Sequence, residues 1–361
     1  MHQLFPRRAG FDVSFYTIGC KKTVNSLNSL YNKTDMNSVM KMGGENLTKI
    51  LLSLSEGFAN EKQMLEKELG KLGATVTSIT TKKESITEYL HDTEIIVTGL
   101  ERIDRSVIEK APNLKYVSKF GSGIDNIDLV AASERGVLVT NTPGQNASSV
   151  ADLTLGLMLA VSRNLTKSNE IVKTGNWQLH IGNEIEGKRL GIIGFGEIGK
   201  KVAKRATGFD MNIVAFANYQ DEEKAQRLGV QFVSLEELLT TSDYVVLSTS
   251  LKKSTYHLMN EQRLAFMKNS AYLINIARGD LIDEKALIRC LKAGKIKGVA
   301  LDVFSKEPPE LELVELDNVV CSSHIGGATE ECAARIGNMV LQNLKNYLQK
   351  GDLIHKVTKN D

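Results

Sequence analysis

Leu190-Gly191-Ile192-Ile193-Gly194-Phe195-Gly196-Glu197-Ile198-Gly199 lies at the centre of this 361-residue chain. An apolar run leads into three glycines at GxGxxG spacing, and a helical pattern follows. Strand, glycine turn and helix in that order set a dinucleotide pyrophosphate on a helix N-terminus. Gly194 permits the tight turn. Gly196 lets the backbone approach phosphate, and Gly199 lets helix and strand pack closely. Ile198, Val202, Ala203 and Ala206 repeat at helical spacing and make the inward face. A GxGxxG run alone is a weak signal; this context strengthens it. Nearly 190 residues come first, so another domain precedes this unit or is split around it.

Outward from the turn, β-branched runs alternate with helical stretches. On the C-terminal side the expected strands are 190–193, 213–216, 244–247, 272–276, 299–303 and 319–321, six in all, enough for a doubly wound domain. On the N-terminal side they are 50–54, 76–79, 95–98, 116–118 and 137–140. Both series predict α/β lobes with parallel sheets. Asn141-Thr142-Pro143-Gly144 marks a boundary, after which Ser148 is expected to cap a long helix. Trp177, the only tryptophan, is expected to pack. A terminal helix over 330–348 is expected to return to the first lobe. The expected division is an N-terminal extension at 1–46, poorly ordered; a lobe at 47–146 and 325–361; and a dinucleotide lobe at 147–324.

Composition narrows the partners. Hydrophobic residues make up 42% and charged residues 24%, values ordinary for a water-soluble globular chain. The formal net charge of +2 gives no ground for a nucleic-acid or anionic-membrane partner. No apolar run approaches a bilayer span. The four cysteines have neither CxxC nor zinc spacing, so no metal is expected and a reducing, cytoplasmic setting is. Arg7-Arg8 is followed by no long apolar stretch of a secretory signal.

Three segments leave the ends of later strands. Asn275-Ile276-Ala277-Arg278-Gly279 offers an arginine, Asp302-Val303-Phe304-Ser305-Lys306-Glu307 a carboxylate, and Ser323-His324-Ile325-Gly326-Gly327 a histidine. Carboxyl ends of strands are where ligands bind in open α/β sheets. An arginine holds and polarises a 2-oxo acid, a histidine moves the hydroxyl proton, and a carboxylate orients the imidazole. Each has a plainer reading alone: a surface ion pair, a solvated loop residue, a structural histidine. Their shared placement behind a nucleotide turn joins them into one expected catalytic set, Arg278, Glu307 and His324.

These motifs, GIIGFGEIG at 191–199, NIARGDLIDE at 275–284, LDVFSKEPP at 301–309 and SSHIGGAT at 322–329, resemble the D-isomer-specific 2-hydroxyacid dehydrogenases over about residues 48–350. The resemblance implies a Rossmann cofactor domain inserted into a flavodoxin-like substrate domain, and a homodimer. It implies the same catalytic three, and cofactor contacts at Glu197, Ile198, Ile276, Ala277, Asp302, Gly326 and Gly327. It likens Phe120-Gly121-Ser122-Gly123-Ile124 to a substrate-carboxylate loop, with Ser122 and Gly123 as contacts beside Arg278. The expected activity is hydride transfer between NAD or NADP and a small 2-hydroxy acid of the glyoxylate or hydroxypyruvate type. A D-3-phosphoglycerate dehydrogenase is the alternative enzyme. A nicotinamide-sensing corepressor, similar to the C-terminal-binding proteins, is the alternative of another class.

One family feature is missing. The acidic residue that binds the adenosine ribose should end the second cofactor strand. Here that place is Ala217-Asn218, with no Arg or Lys over 217–220 to favour a 2′-phosphate. The site is expected to accept either cofactor. Ser250 also replaces a common family proline.

Overall fold

The alternating pattern builds two sheets in the computed structural model, which describes residues 47–81 and 83–358. The expected extension at 1–46 lies outside the described residues. The first sheet is formed by β1 (Lys49–Leu54), β2 (Thr75–Thr80), β3 (Ile95–Thr98), β4 (Tyr116–Lys119) and β5 (Leu138–Thr140). The second is formed by β6 (Arg189–Ile193), β7 (Asn212–Phe216), β8 (Val230–Phe232), β9 (Tyr244–Leu247), β10 (Tyr272–Asn275), β11 (Gly298–Leu301) and β12 (Val319–Cys321). A last short strand, β13 (Lys356–Val357), pairs antiparallel with β5 in the first sheet.

The orders are β13-β5-β4-β3-β1-β2 and β12-β11-β10-β9-β6-β7-β8. The parallel strands of the first follow the flavodoxin-like 2-1-3-4-5 order, and those of the second the Rossmann 3-2-1-4-5-6 order with one strand added. In both, the strand order reverses beside the first strand, the switch point where open α/β sheets bind ligands. β3, β4, β9, β10 and β11 are buried throughout, as helices on both faces require. The helices Ala147–Arg163 and Glu197–Ala206 cover one face of the second sheet, with Ala151, Met158, Val202 and Ala206 against Ile192 and Ile274.

The chain enters the second sheet after β5 and returns through the helix Glu330–Lys350. That helix packs Ile336, Val340 and Leu344 with Ile50, Leu52 and Leu65 of the first lobe. A Cβ added at Gly337 would stand 3.1 Å from Cε of Met64, so the glycine sets how closely this helix approaches the helix Ala59–Gly70.

Three expectations need correction. The second sheet has seven strands, not six: Val230-Gln231-Phe232 is too short to show a period, yet it pairs with β7 as an edge strand. Ser148 does not cap the long helix, which begins at Ala147 after Asn146. Asn146 itself makes no side-chain cap because its Oδ1 accepts from Ser122 Oγ at 2.9 Å. Trp177 does not pack: it is 91% exposed, on an arm beyond the helix Leu165–Lys173.

Candidate active site

The glycine turn has the expected construction. Gly194 has φ +98°, and a Cβ there would meet the Thr249 amide nitrogen at 2.7 Å. A Cβ on Gly199 would collide with the Gly194 carbonyl. A Cβ on Gly196 would meet nothing within 4 Å, so the space over this residue is open where a pyrophosphate would lie. Glu197 opens the ten-residue helix Glu197–Ala206, whose first-turn amides have no intrahelical acceptors. The turn therefore fits a dinucleotide. Glu197 Cγ comes within 3.7 Å of a Cβ added at Gly144, placing it beside the crossing from the first sheet to the second. Ile198 packs on the core beneath. Ala217 is half-buried and Asn218 exposed just past β7. Asp221 caps the next helix and pairs with Lys200 at 2.6 Å, so both its oxygens are engaged.

Parallel register aligns Asn275, Leu301 and Cys321 on β10, β11 and β12, so the three catalytic candidates leave neighbouring strands at one edge. His324 Nδ1 lies 3.1 Å from both carboxylate oxygens of Glu307. This bidentate contact fixes the ring and leaves Nε2 as the nitrogen available to a ligand. His324 has φ +56°, a conformation uncommon for a non-glycine residue. Asp302 holds it there. The Asp302 carbonyl accepts from His324 N at 2.9 Å, while its carboxylate accepts from Ser322 Oγ, Ile325 N and Gly326 N at 2.6, 2.9 and 2.8 Å. Asp302 is buried, and its carboxylate is committed to this loop. A Cβ on Gly326 would stand 2.9 Å from Asp302 Oδ2, which restricts the position to glycine.

Arg278 follows β10. The buried Asn275 shapes its turn, accepting from Ala277 N at 3.1 Å and donating to the Arg278 carbonyl at 2.8 Å. Ile276 and Ala277 are buried beneath. A Cβ on Gly279 would clash with the Phe304–Ser305 backbone, so the Arg278 and Glu307 loops touch. Arg278 Nη1 donates to the Ala277 carbonyl and Nε to Asp125 Oδ2, both at 2.6 Å. A Cβ on Gly123 would overlap Nη2. Ser122, one residue earlier, bonds Asn146, whose Cβ lies 3.6 Å from a Cβ added at Gly327. The contacts close a ring: loop 122–125 to Arg278, across to Glu307 and His324, and back through Gly327 and Asn146. Every sequence-predicted catalytic and substrate residue stands on it. Asp125, Asn146 and Asn275 were not singled out from the sequence. A polar residue ending an otherwise apolar buried strand, as Asn275 ends β10, was the available signal.

Residues 155–326 match the D-isomer specific 2-hydroxyacid dehydrogenase, NAD binding domain family. A glyoxylate reductase of Pyrococcus horikoshii is 42% identical over 273 residues, 73% of this chain and 82% of that protein. The chain belongs to the D-isomer specific 2-hydroxyacid dehydrogenase family. It is also 41% identical over 296 residues to a D-3-phosphoglycerate dehydrogenase of Methanocaldococcus jannaschii, covering 81% of this chain but only 56% of that longer relative. The crystal structure of a glyoxylate reductase from Paecilomyes thermophila superposes with a TM-score of 0.77 at 32% identity, over 88% of this chain and all of that one. Members of this dehydrogenase family are oxidoreductases acting on a CH–OH group with NAD or NADP, and this chain is one of them.

Proposed function

We propose that this dehydrogenase interconverts a small 2-oxo acid of the glyoxylate or hydroxypyruvate type with its D-2-hydroxy acid, using Arg278, Glu307 and His324. The paired contact of His324 Nδ1 with both Glu307 oxygens carries this reading. A carboxylate in that position fixes the ring orientation and aims Nε2 away from itself. The bound dinucleotide supplies or accepts the hydride at the substrate carbon. His324 gives a proton to the carbonyl oxygen during reduction and takes it from the hydroxyl during oxidation. Arg278 has its Nε and Nη1 edges engaged, which leaves Nη2 to hold the substrate carboxylate and polarise the adjacent carbonyl. Backbone amides at Ser122 and Gly123 complete the carboxylate site. Gly194, Gly196 and Gly199, with Glu197 and Ile198, receive the pyrophosphate, and Ala217 and Asn218 face the adenosine ribose. Ile276, Ala277, Gly326 and Gly327 line the nicotinamide end, and Asp302 acts there by holding the loop that carries Gly326.

Residues 47–146 and 325–361 form the substrate domain on this reading, and 147–324 the cofactor domain inserted into it. The sheet memberships support that division. The assembly is a homodimer. Trp177, Leu179 and Ile181 are 91%, 85% and 90% exposed on one arm, alternating as in an extended segment, with Leu165 and Val172 exposed on the preceding helix. Apolar area of that kind, left in water, marks a protein interface. The location is cytoplasmic, supported by Cys290, Cys321 and Cys332 standing as free thiols.

Sequence similarity to the Methanocaldococcus jannaschii relative favours a second substrate, phosphohydroxypyruvate. Arg102, the basic residue nearest after β3, is turned to solvent at 82% side-chain exposure beside Asp104, which favours the unphosphorylated acids. Initial rates with glyoxylate, hydroxypyruvate and phosphohydroxypyruvate, each with NADH and NADPH, test the reading. A kcat/KM for phosphohydroxypyruvate tenfold above the other two would overturn the substrate assignment.

A further inference from the structure

Lys119 ends β4 immediately before the loop that carries Gly123 and Asp125. It is only 6% exposed. Its ammonium donates to the Gly99 carbonyl, just after β3, and to Asn126 Oδ1 at 2.7 Å. Asn126 Nδ2 donates in turn to the carbonyls of Gly99, at 3.2 Å, and Glu101. Two loops at the carboxyl edge of the first sheet are thus tied together through one buried lysine. Both oxygens that Lys119 reaches are neutral, and a buried cation served only by neutral acceptors is costly. The Asn126 side chain already joins the same loops, so joining them does not by itself require a charge. The tie does bear on the arginine: Asp125, next to Asn126, holds Arg278 Nε at 2.6 Å, and the charges of both Arg278 and Asp125 act on Lys119.

We propose that Lys119 is a positioning residue for substrate binding, fixing Asn126 against the Gly99 turn so that Asp125 holds Arg278 in register with the substrate carboxylate. The proposal rests on Arg278 being the substrate anchor. Lys119 acts through the loop and touches neither substrate nor cofactor. The ammonium form makes the stronger clamp, since its charge-assisted N–H groups donate more strongly to the two oxygens than those of a neutral amine. Burial first, and then the positive charge of Arg278, bring its pKa down to about 7, while Asp125 acts in the opposite direction. The clamp therefore loosens as pH rises through neutrality.

The test measures KM and kcat for D-glycerate oxidation and hydroxypyruvate reduction from pH 6 to 9, in the wild type, Lys119→Met and Arg278→Lys. Lys119→Met is expected to raise substrate KM at least tenfold at pH 6 while changing kcat and cofactor KM less than threefold. Wild-type substrate KM is expected to rise with pH around 7, and that rise to vanish in Lys119→Met. Loss of that rise in Lys119→Met, in both reaction directions, separates it from proton transfer at His324, which that variant retains. A Lys119→Met enzyme that binds cofactor normally and keeps substrate KM within threefold overturns the proposal. If that variant does not fold, a wild-type KM flat across the range overturns it. An unchanged KM in Arg278→Lys sinks the Arg278 reading. A raised KM there beside an unchanged one in Lys119→Met sinks the role of Lys119 alone.

Discussion

Gly123 and Arg278 occupy one volume between the two sheets: a Cβ on Gly123 would overlap the guanidinium Nη2. Arg278 is flexible and half-exposed, so Gly123→Ala displaces the arginine instead of breaking the fold. The expected result is a fall of about a hundredfold in kcat/KM for the 2-oxo acid, corresponding to ~2.7 kcal/mol of transition-state binding. Cofactor affinity and melting temperature should change little. Steady-state kinetics with a cofactor-fluorescence titration check this, and a Gly123→Ala enzyme with wild-type kcat/KM would remove Arg278 from the substrate site.

The Glu307 carboxylate supplies both orientation and charge to His324. Glu307→Gln keeps a hydrogen-bonding group at Nδ1 but loses the charge, and should lower kcat by roughly ten- to a hundredfold. His324→Ala removes the proton carrier and should abolish turnover while cofactor binding persists. Single-turnover reduction with NADH or NADPH reads both; residual turnover of His324→Ala within tenfold of wild type would reassign the acid.

Both residues were legible because their chemistry travels with short motifs at strand ends, where topology does the placing. The two lobes were legible because buried parallel strands read as apolar β-branched runs. What stayed hidden depended on partners distant in sequence. Asn146 looks like an ordinary residue before a helix, yet its side chain turns to Ser122 and the helix begins without its cap. Asp125 gains meaning only from Arg278, 153 residues away. Trp177 was expected to pack because tryptophan usually does, yet it stands exposed on the arm that follows the helix Leu165–Lys173.

Lys119 also shapes stability. Its ordinary pKa of 10.5 applies to the unfolded chain, and about 7 to the folded one. Between those values the unfolded state binds the extra proton, so unfolding free energy rises with pH through the window. The contribution is on the order of a few kcal/mol. Urea unfolding at pH 7 and pH 9 should show the wild type gaining more stability, or losing less, than Lys119→Met over that step. Equal changes in the two proteins would contradict a depressed Lys119.

Trp177, Leu179 and Ile181 form the exposed face assigned to a second copy. Trp177→Asp should convert the dimer to monomer in light scattering after size exclusion, since a charge in a buried apolar interface is costly. Trp177 is the only tryptophan, so its emission reports the same contact: blue-shifted in the dimer and moving to the red on dilution. A monomeric wild type at tens of micromolar, with red emission throughout, would leave the arm to another partner.

Ala217 follows β7 directly, where a carboxylate would bind the ribose hydroxyls and repel a 2′-phosphate. With an uncharged methyl there, and Asp221 held by Lys200, neither cofactor is rewarded or excluded by charge at this point. NADH and NADPH should differ less than a hundredfold in kcat/KM, or ~2.7 kcal/mol. Ala217→Asp should then raise KM for NADPH at least tenfold and leave or lower that for NADH, without changing kcat for the 2-oxo acid. Repulsion at a surface site weakens with salt, so the preference should shrink between 50 mM and 500 mM salt. A wild type already selective beyond a hundredfold would mean that residues other than Ala217 choose the cofactor.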